Sequence, residues 1–275
     1  METTSETTID NVGSLLREWR QRRRFSQLDL ASEAALSTRH LSFVESGRAS
    51  ASRDMLIRLA EHLAMPLRIR NRLLLAGGYA PEHAERPLDA RDMTAAREAV
   101  EAVLAGHMPF PALAVDRHWN LVLANPALAP FLAGVEQQLL TTPVNVLRLS
   151  LHPEGLAPRI DNLAEWRHHL LERLARQCDE TGDPVLADLL AELSTLPFRA
   201  SRARPGTANA IAVPLRLRAD DGACLSFIST TTVFGTATDV TLAELTLECF
   251  YPADAATRTA LLNAPLSSDA VGASS

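Results

Sequence analysis

The chain has 275 residues, 47% of them hydrophobic, and a formal net charge of −6 at pH 7. That length admits two domains, and the apolar fraction excludes a disordered chain. No apolar run approaches the roughly 20 residues that cross a bilayer. The three cysteines, Cys178, Cys224 and Cys249, are odd in number and far apart, so they form neither a disulfide framework nor a metal-ligand spacing, and a reducing cytoplasm is expected. The charge is unevenly placed. Residues 11–80 hold 12 Arg against 6 acidic residues, whereas residues 81–275 hold 15 Arg against 24 acidic ones. A basic head on an acidic body restricts contact with a polyanion to the head. All 27 basic residues are arginine, which reads as coding bias rather than function.

Residues 1–10 are acidic and Thr-rich, without the apolar core of a signal peptide, and are expected to be disordered. A first helix is predicted from Val12 to Arg23, with Val12, Leu15, Leu16 and Trp19 inward. Arg17, Arg20, Arg22, Arg23 and Arg24 crowd its outer side and end, open either to phosphate or to solvent. Ser26 with Asp29 makes a capping-box-like start for a second helix, whose core face is Leu28, Ala31, Ala34 and Ala35. Ala35-Leu36 joins it tightly to Ser37, which caps a third helix. There Leu41 and Val44 share an inward face with Phe43 beside them. Thr38, Arg39, Ser42 and Glu45 point elsewhere, and Gly47 fits a left-handed stop.

Two short helices so joined make a helix-turn-helix, whose second helix enters the DNA major groove by its N-terminal end. On that reading Ser37, Thr38, Arg39, His40 and Ser42 face base edges or adjacent phosphates. Arg39 is suited to guanine O6 and N7, and Gln27 and Arg48 are placed for phosphates, which set register without reading sequence. A helical bundle that touches no DNA is the plain alternative. Ser52 can cap a fourth helix with Met55, Leu56, Leu59, Ala60 and Leu63 inward. A fifth, Leu67 to Ala76, stops at Gly77-Gly78.

The run from Leu15 to Pro81 resembles the Cro/repressor-type helix-turn-helix family, also called the xenobiotic-response-element (XRE) family. Two phrases, Arg39-His-Leu-Ser-Phe-Val-Glu-Ser-Gly-Arg48 and Arg70-Asn-Arg-Leu-Leu-Leu-Ala-Gly-Gly-Tyr-Ala-Pro81, resemble one branch, the MmyB-like or MltR-like regulators. That resemblance implies a C-terminal ligand-binding domain with a PAS-like fold.

Residues 81–106 read as a charged linker running into a connecting helix near Thr94 to Leu104, ended by Gly106 and Pro109. From His107 a second domain begins with strand, turn and strand. Leu113 and Val115 alternate, Asp116-Arg117-His118 turns, and Trp119, Leu121 and Leu123 alternate again. Asn125-Pro126 starts a helix to about Leu132. A short helical turn and loop cover residues 144–155. An amphipathic helix is predicted over 160–177, with Ile160, Leu163, Trp166, Leu170 and Leu174 at spacings of three and four, and another from Pro184 to Leu193. Three strand-like runs follow, Ala210 to Leu217, Cys224 to Phe234 and Leu242 to Tyr251, the first two joined by a turn at Asp220-Asp-Gly222. A helix from Ala253 to Leu262 precedes a small, polar tail, 264–275, expected to be disordered.

Trp119, Asn125, Asn145-Val-Leu-Arg148, His152-Pro-Glu-Gly155, Asn162 and Tyr251-Pro-Ala-Asp254 also resemble the MltR-like ligand domain, so the resemblance runs from about 12 to about 262. The expected fold is an all-α head of five helices, 11–80, and an α+β PAS-like domain, 107–263, with a five-stranded antiparallel sheet. The expected partners are double-stranded operator DNA, a second copy of the chain, and a small apolar or lipid-like effector; the resemblance implies a fatty acid for some members.

No Gly-x-Ser-x-Gly, phosphate-cradling Gly loop or His-Glu-x-x-His motif is present. His168-His169 are helix neighbours about 100° apart and poorly placed to share a metal, so no enzyme, metal or cofactor is expected. A sensor cavity would lie between sheet and helices, with Trp119, Leu121, Leu123, Phe131, Leu147, Leu163, Trp166, Phe227 and Phe234 as lining or as plain core. Candidate polar anchors are Asn125, Asn145, Arg148, His152 and Asn162. Arg148 suits a ligand carboxylate or a salt bridge, and the first two Asn suit helix caps equally well. Two rival readings stay open: a C-terminal domain that only pairs or binds partners, and an enzyme acting on acyl compounds.

Overall fold

The computed structural model describes residues 11–197, 212–219 and 222–263. The chain divides into two units, one running to Arg86 together with Ala237–Val240, the other from Pro87 to Thr236 and from Thr241 onward. Among the described residues no helix is long and apolar enough to cross a membrane. The expected disorder of 1–10 and 264–275, the strand residues Ala210 and Ile211, and Asp220-Asp221 of the turn fall outside the described residues.

The first unit is all α: α1 (Val12–Arg22), α2 (Gln27–Glu33), α3 (Thr38–Glu45), α4 (Arg53–His62) and α5 (Leu67–Ala76). Four of the five start on a side-chain cap. Asn11 accepts from Gly13 N, Ser37 from His40 N and Ser52 from Met55 N, while Ser26 and Asp29 complete a reciprocal capping box. Each helix stops at a left-handed residue, in order Arg24, Ala35, Gly47, Ala64 and Gly78. The next N–H reaches back five residues in every case, as in Leu36 N to Ala31 O and Arg48 N to Phe43 O, the Schellman stop. Two of these sites are glycine and escape the Cβ clash of that conformation; the others carry a cost of about 1–2 kcal/mol each. The core joins Leu16, Trp19, Leu30, Leu41, Leu56, Leu59, Leu63 and Leu73, all essentially buried. Leu28, expected inward, is 66% exposed, and Leu30 joins Ala31 and Ala34 in the core; Ala35, also expected inward, is exposed at the left-handed stop of the helix.

The second unit carries a five-stranded antiparallel sheet in the order β2-β1-β5-β4-β3. The strands are β1 (Ala112–Val115), β2 (Leu121–Ala124), β3 (Leu215–Arg218), β4 (Cys224–Val233) and β5 (Thr246–Pro252). β1 is buried at every position, because both faces of the sheet are covered. On one face Ala112, Ala114, Leu247 and Cys249 pack with Val100 and Leu104 of α6 (Thr94–Gly106). The expected connecting helix is therefore part of the second unit's core. On the other face Leu113, Val115, Leu215, Leu217 and Phe227 pack with residues of α7 (Val146–Leu151), α8 (Leu163–Thr181) and α9 (Pro184–Thr195). The remaining helices are α10 (Val240–Ala243) and α11 (Ala255–Asn263).

Three element boundaries differ from expectation for identifiable reasons. The helix after Asn125 is 3₁₀, Pro126–Leu132, with Pro130 inside it; proline supplies no N–H for an α-helical bond. α8 begins at Leu163, since Ile160 bridges to Leu217 and Asp161 N donates to Arg216 O 2.9 Å away. β5 begins at Thr246, because Leu242 already lies in α10, a short apolar helix that periodicity alone does not separate from a strand.

Candidate functional site

Two regions concentrate functional side chains, one in each unit. In the head, the N-terminal half of α3 presents Ser37 and Arg39 exposed, with Thr38, His40 and Ser42 half-buried. The Ser37 hydroxyl accepts from His40 N at 3.1 Å, so it fixes the start of the helix. Arg39 stacks over Phe43, 5.3 Å from guanidinium carbon to ring centroid, an arrangement that holds the side chain extended along the outer face. Arg48 is exposed just beyond the Gly47 stop. Neither arginine has a carboxylate partner among the described residues, so both charges are free for an external anion.

The remaining arginines of the head are mostly engaged. Glu45, expected to point outward, is the buried centre of a charged cluster, its side chain 0% exposed. Arg20 donates through Nε to Oε1 at 2.7 Å and through Nη2 to Oε2 at 3.0 Å. Gln27 Nε2 donates to Oε2 at 2.8 Å. Burial pushes the Glu45 carboxyl up, but the hydrogen bonds from Arg20 and Gln27 and the charges of Arg20 and Arg17 outweigh it, and the net shift is downward. Gln27 therefore ties α2 to α3 as well as sitting at the head of α2. Arg23 donates to the carbonyls of Leu63 and Ala64 at 2.9 and 3.0 Å, and Arg22 pairs with Glu18 at 2.9 Å. Gly13 lets α1 close on this cluster, since a Cβ there would lie 2.4 Å from the Glu45 carbonyl oxygen. The orientation of α3 is thus set by an ion pair whose carboxylate is fully buried. Sequence periodicity missed it because a Glu at the end of a helix normally reads as solvated.

In the second unit an apolar cavity opens between the sheet and the helices. Its wall includes Leu113, Trp119, Leu121, Phe131, Leu147, Trp166, Leu170 and Phe227. It offers about 100 Å³, on a scale where one water needs about 10–15 Å³. Six of the nine expected lining residues are there. Leu163 is core away from the wall, and Leu123 and Phe234 pack on the opposite face of the sheet. Trp119 adopts φ +67°, costly for a bulky residue. It is held by its Nε1–H to Gln177 Oε1 at 2.7 Å and by the Asp116 carboxylate, which accepts from His118 N and Asn120 N at 2.8 Å. Trp166 Nε1 donates to Ser150 Oγ at 3.1 Å.

The five polar candidates lie off this wall. Asn125, which makes no side-chain cap, instead accepts from Ala112 N and donates to the carbonyls of Leu104 and Phe110. Asn145 caps α7 by accepting from Arg148 N and donates to His118 O. Arg148 forms two bonds, both 2.6 Å, to the Glu192 carboxylate on α9, so its fork is already filled. His152 Nδ1 accepts from Glu154 N. Asn162 accepts from Arg216 N and donates to Pro214 O. Of the seven expected ligand contacts, Trp119 and Trp166 meet at the cavity and the other five join its supporting elements.

The polar groups that do reach the wall are Arg173, Glu248, Ser150 and Ser229. Two were legible in principle. Arg173 follows Trp166 and Leu170 at helical spacing, a charge in an apolar stripe. Glu248 stands between Leu247 and Cys249 and pairs across the sheet with Leu113 and Thr231. His168 is exposed and His169 half-buried, and burial with the charges of Arg173 and Arg176 lowers the His169 pKa. Among the described residues no group of three or more His, Cys, Asp or Glu is placed to hold a metal ion.

A family model described as MmyB-like transcription regulator ligand binding domain matches residues 96–263. A second, described as Helix-turn-helix domain, matches residues 11–73. No curated protein matches the chain.

Proposed function

Because the chain belongs to the MmyB-like transcription regulators, with their ligand-binding domain behind a DNA-binding helix-turn-helix, we propose that its cavity senses a small, largely apolar molecule with a fatty-acyl-like chain. The observation that carries this reading is the apolar cavity walled by Trp119, Phe131, Trp166 and Phe227. A sheet that opens with an edge hairpin, inserts helices and returns three strands beside it supports the PAS-like sensor reading. The head reads operator DNA in the cytoplasm through Thr38, Arg39, His40 and Ser42, with Ser37, Gln27 and Arg48 at phosphates. The exposed, unpaired charges of Arg39 and Arg48 support this. The active species is a homodimer, whose two recognition helices meet half-sites about 34 Å apart or a multiple of that. To control transcription the effector must bind one state of the dimer better than the other, since tight binding alone shifts no equilibrium.

Native mass spectrometry of the purified protein, followed by denaturing extraction, tests the reading. A dimer mass with a co-purifying apolar molecule, or a thermal stabilisation by members of a lipid panel, is expected. An empty protein that no apolar compound stabilises would overturn it and leave a domain that serves only for pairing.

A further inference from the structure

The geometry points to a cavity that selects ligands with an uncharged polar end, with Arg173 and Glu248 making the selection. This rests on the cavity being a ligand site and adds the chemistry of the head group. Arg173 and Glu248 are the only ionisable side chains on the described cavity wall. They come from α8 and β5 and neutralise each other there. Arg173 Nη2 donates to Glu248 Oε1 at 2.5 Å and to Thr231 Oγ1 at 2.9 Å, and Thr231 Oγ1 donates to the same Oε1 at 3.1 Å. The guanidinium lies over the Trp119 ring at 4.6 Å, so its position is held from a third side.

The carboxylate end of the pair is buried, the Arg173 side chain is 23% exposed, and neither end is closed. The Glu248 side chain is 6% exposed, yet every hydrogen bond it receives among the described residues lands on Oε1, leaving Oε2 as an acceptor. Arg173 spends one nitrogen on these contacts and retains donors on Nε and Nη1. Trp119 and Arg173 also line a neighbouring polar hollow with Asp116, Arg176, Gln177 and Glu180. The pair therefore stands where the apolar cavity meets polar surroundings, the place for the head of an amphiphile.

The charges decide which head fits. A carboxylate that took the free N–H groups of Arg173 would set a second negative charge beside the buried Glu248, with a single positive charge to balance both. An ammonium on Oε2 would set a second positive charge beside Arg173, with a single negative charge to balance both. A hydroxyl or primary amide satisfies both, donating to Oε2 and accepting from a free N–H of Arg173, with no added charge in the low-dielectric site. The ligand class is thus a neutral amphiphile, a medium-chain alcohol or amide, rather than a free fatty acid or an alkylamine.

The test uses the full chain at pH 7.5 and four eight-carbon probes, octan-1-ol, octanamide, octanoate and octylamine, each displacing a neutral apolar fluorophore. The alcohol and amide are expected to bind at least about tenfold tighter than either ion. In Glu248→Gln, octanoate should gain about tenfold while octan-1-ol changes little, because the substitution frees Arg173; in Arg173→Gln, octylamine should gain instead. Octanoate equal to or tighter than the alcohol on the wild-type protein would overturn the head-group assignment and leave the cavity reading standing, as would an unimproved octanoate affinity in folded Glu248→Gln. Displacement by none of the four would overturn the cavity reading as well. The wild-type series decides the matter even if a variant does not fold.

Discussion

Glu45 in the head and Glu248 in the ligand-binding unit are both buried carboxylates held by an arginine, and they are completed differently. Both oxygens of Glu45 are occupied, Oε1 by Arg20 and Oε2 by Arg20 and Gln27. Glu248 takes its bonds from Arg173 and Thr231 on Oε1 alone and borders a cavity. A closed pair orients the elements that carry it, here α1, α2 and α3. An open pair keeps hydrogen-bonding capacity for something outside the chain. The same two residue types thus act as a brace in one unit and as a recognition element in the other, and what separates them is how many of the remaining polar atoms the fold satisfies.

The comparison breaks most visibly at Glu45. Glu45→Ala leaves Arg20 in a buried site without its counter-charge and should destabilise the head by about 3–5 kcal/mol, measured by denaturant unfolding, with loss of operator binding. Replacing Glu45 and Arg20 together by Met and Leu should recover much of that stability; if the double variant is no better than the single, the cluster does more than balance charge. The pH dependence follows from the lowered carboxyl pKa of Glu45. A depressed folded-state value means the stabilisation is fully present above the ordinary carboxylate value near 4.5 and is lost as pH falls through the lower folded value. Unfolding curves of wild type and Glu45→Ala should therefore converge in acid and separate above about pH 5.

Asn125 tests the same principle with neutral groups. Asn125→Ala strips partners from Ala112 N and from the Leu104 and Phe110 carbonyls, and each group left unpaired costs about 1–3 kcal/mol. A thermal shift of the ligand-binding unit reads that cost. On the DNA face, Arg39→Ala should weaken operator binding by about 1–3 kcal/mol and relax base preference at one position. Unchanged affinity would mean that α3 is not the reading helix. Arg48→Ala should weaken all sequences about equally and lower the slope of affinity against salt by about one unit, seen in a titration series across ionic strengths. The smallest effect belongs to Arg148→Ala. Its pair with Glu192 is about two-fifths exposed on each side, so stability should fall by no more than about 1 kcal/mol. Effector affinity should be unchanged, whereas a drop of tenfold or more would return Arg148 to the ligand site.

The head was legible almost residue by residue. Ser26, Ser37 and Ser52 cap where their spacing predicts, and Gly47 stops α3 in the left-handed region, because caps and stops depend on atoms within a few residues of each other. What sequence reasoning lost there was the place of Leu28 and Leu30 on α2 and the buried role of Glu45, whose partners Gln27 and Arg20 lie 18 and 25 residues away in the chain. The ligand-binding unit shows the same division on a larger scale. The hairpin at Asp116, the stripe of α8 and the three late strands follow from local periodicity. The strand order that brings β5 between β1 and β4 does not.

The sequence by itself therefore determined the five helices of the head with their helix-turn-helix, the five strands and the amphipathic stripe of α8, since side-chain spacing, capping and turn chemistry are local. Only the tertiary structure decided which polar residues face the cavity. Asn125, Asn145, Arg148 and Asn162 find partners within the fold, while Arg173 and Glu248 meet 75 residues apart in the chain. A buried polar group goes wherever its hydrogen bonds can be completed, and that depends on which distant backbone and side chains the fold brings within 3 Å or so of it.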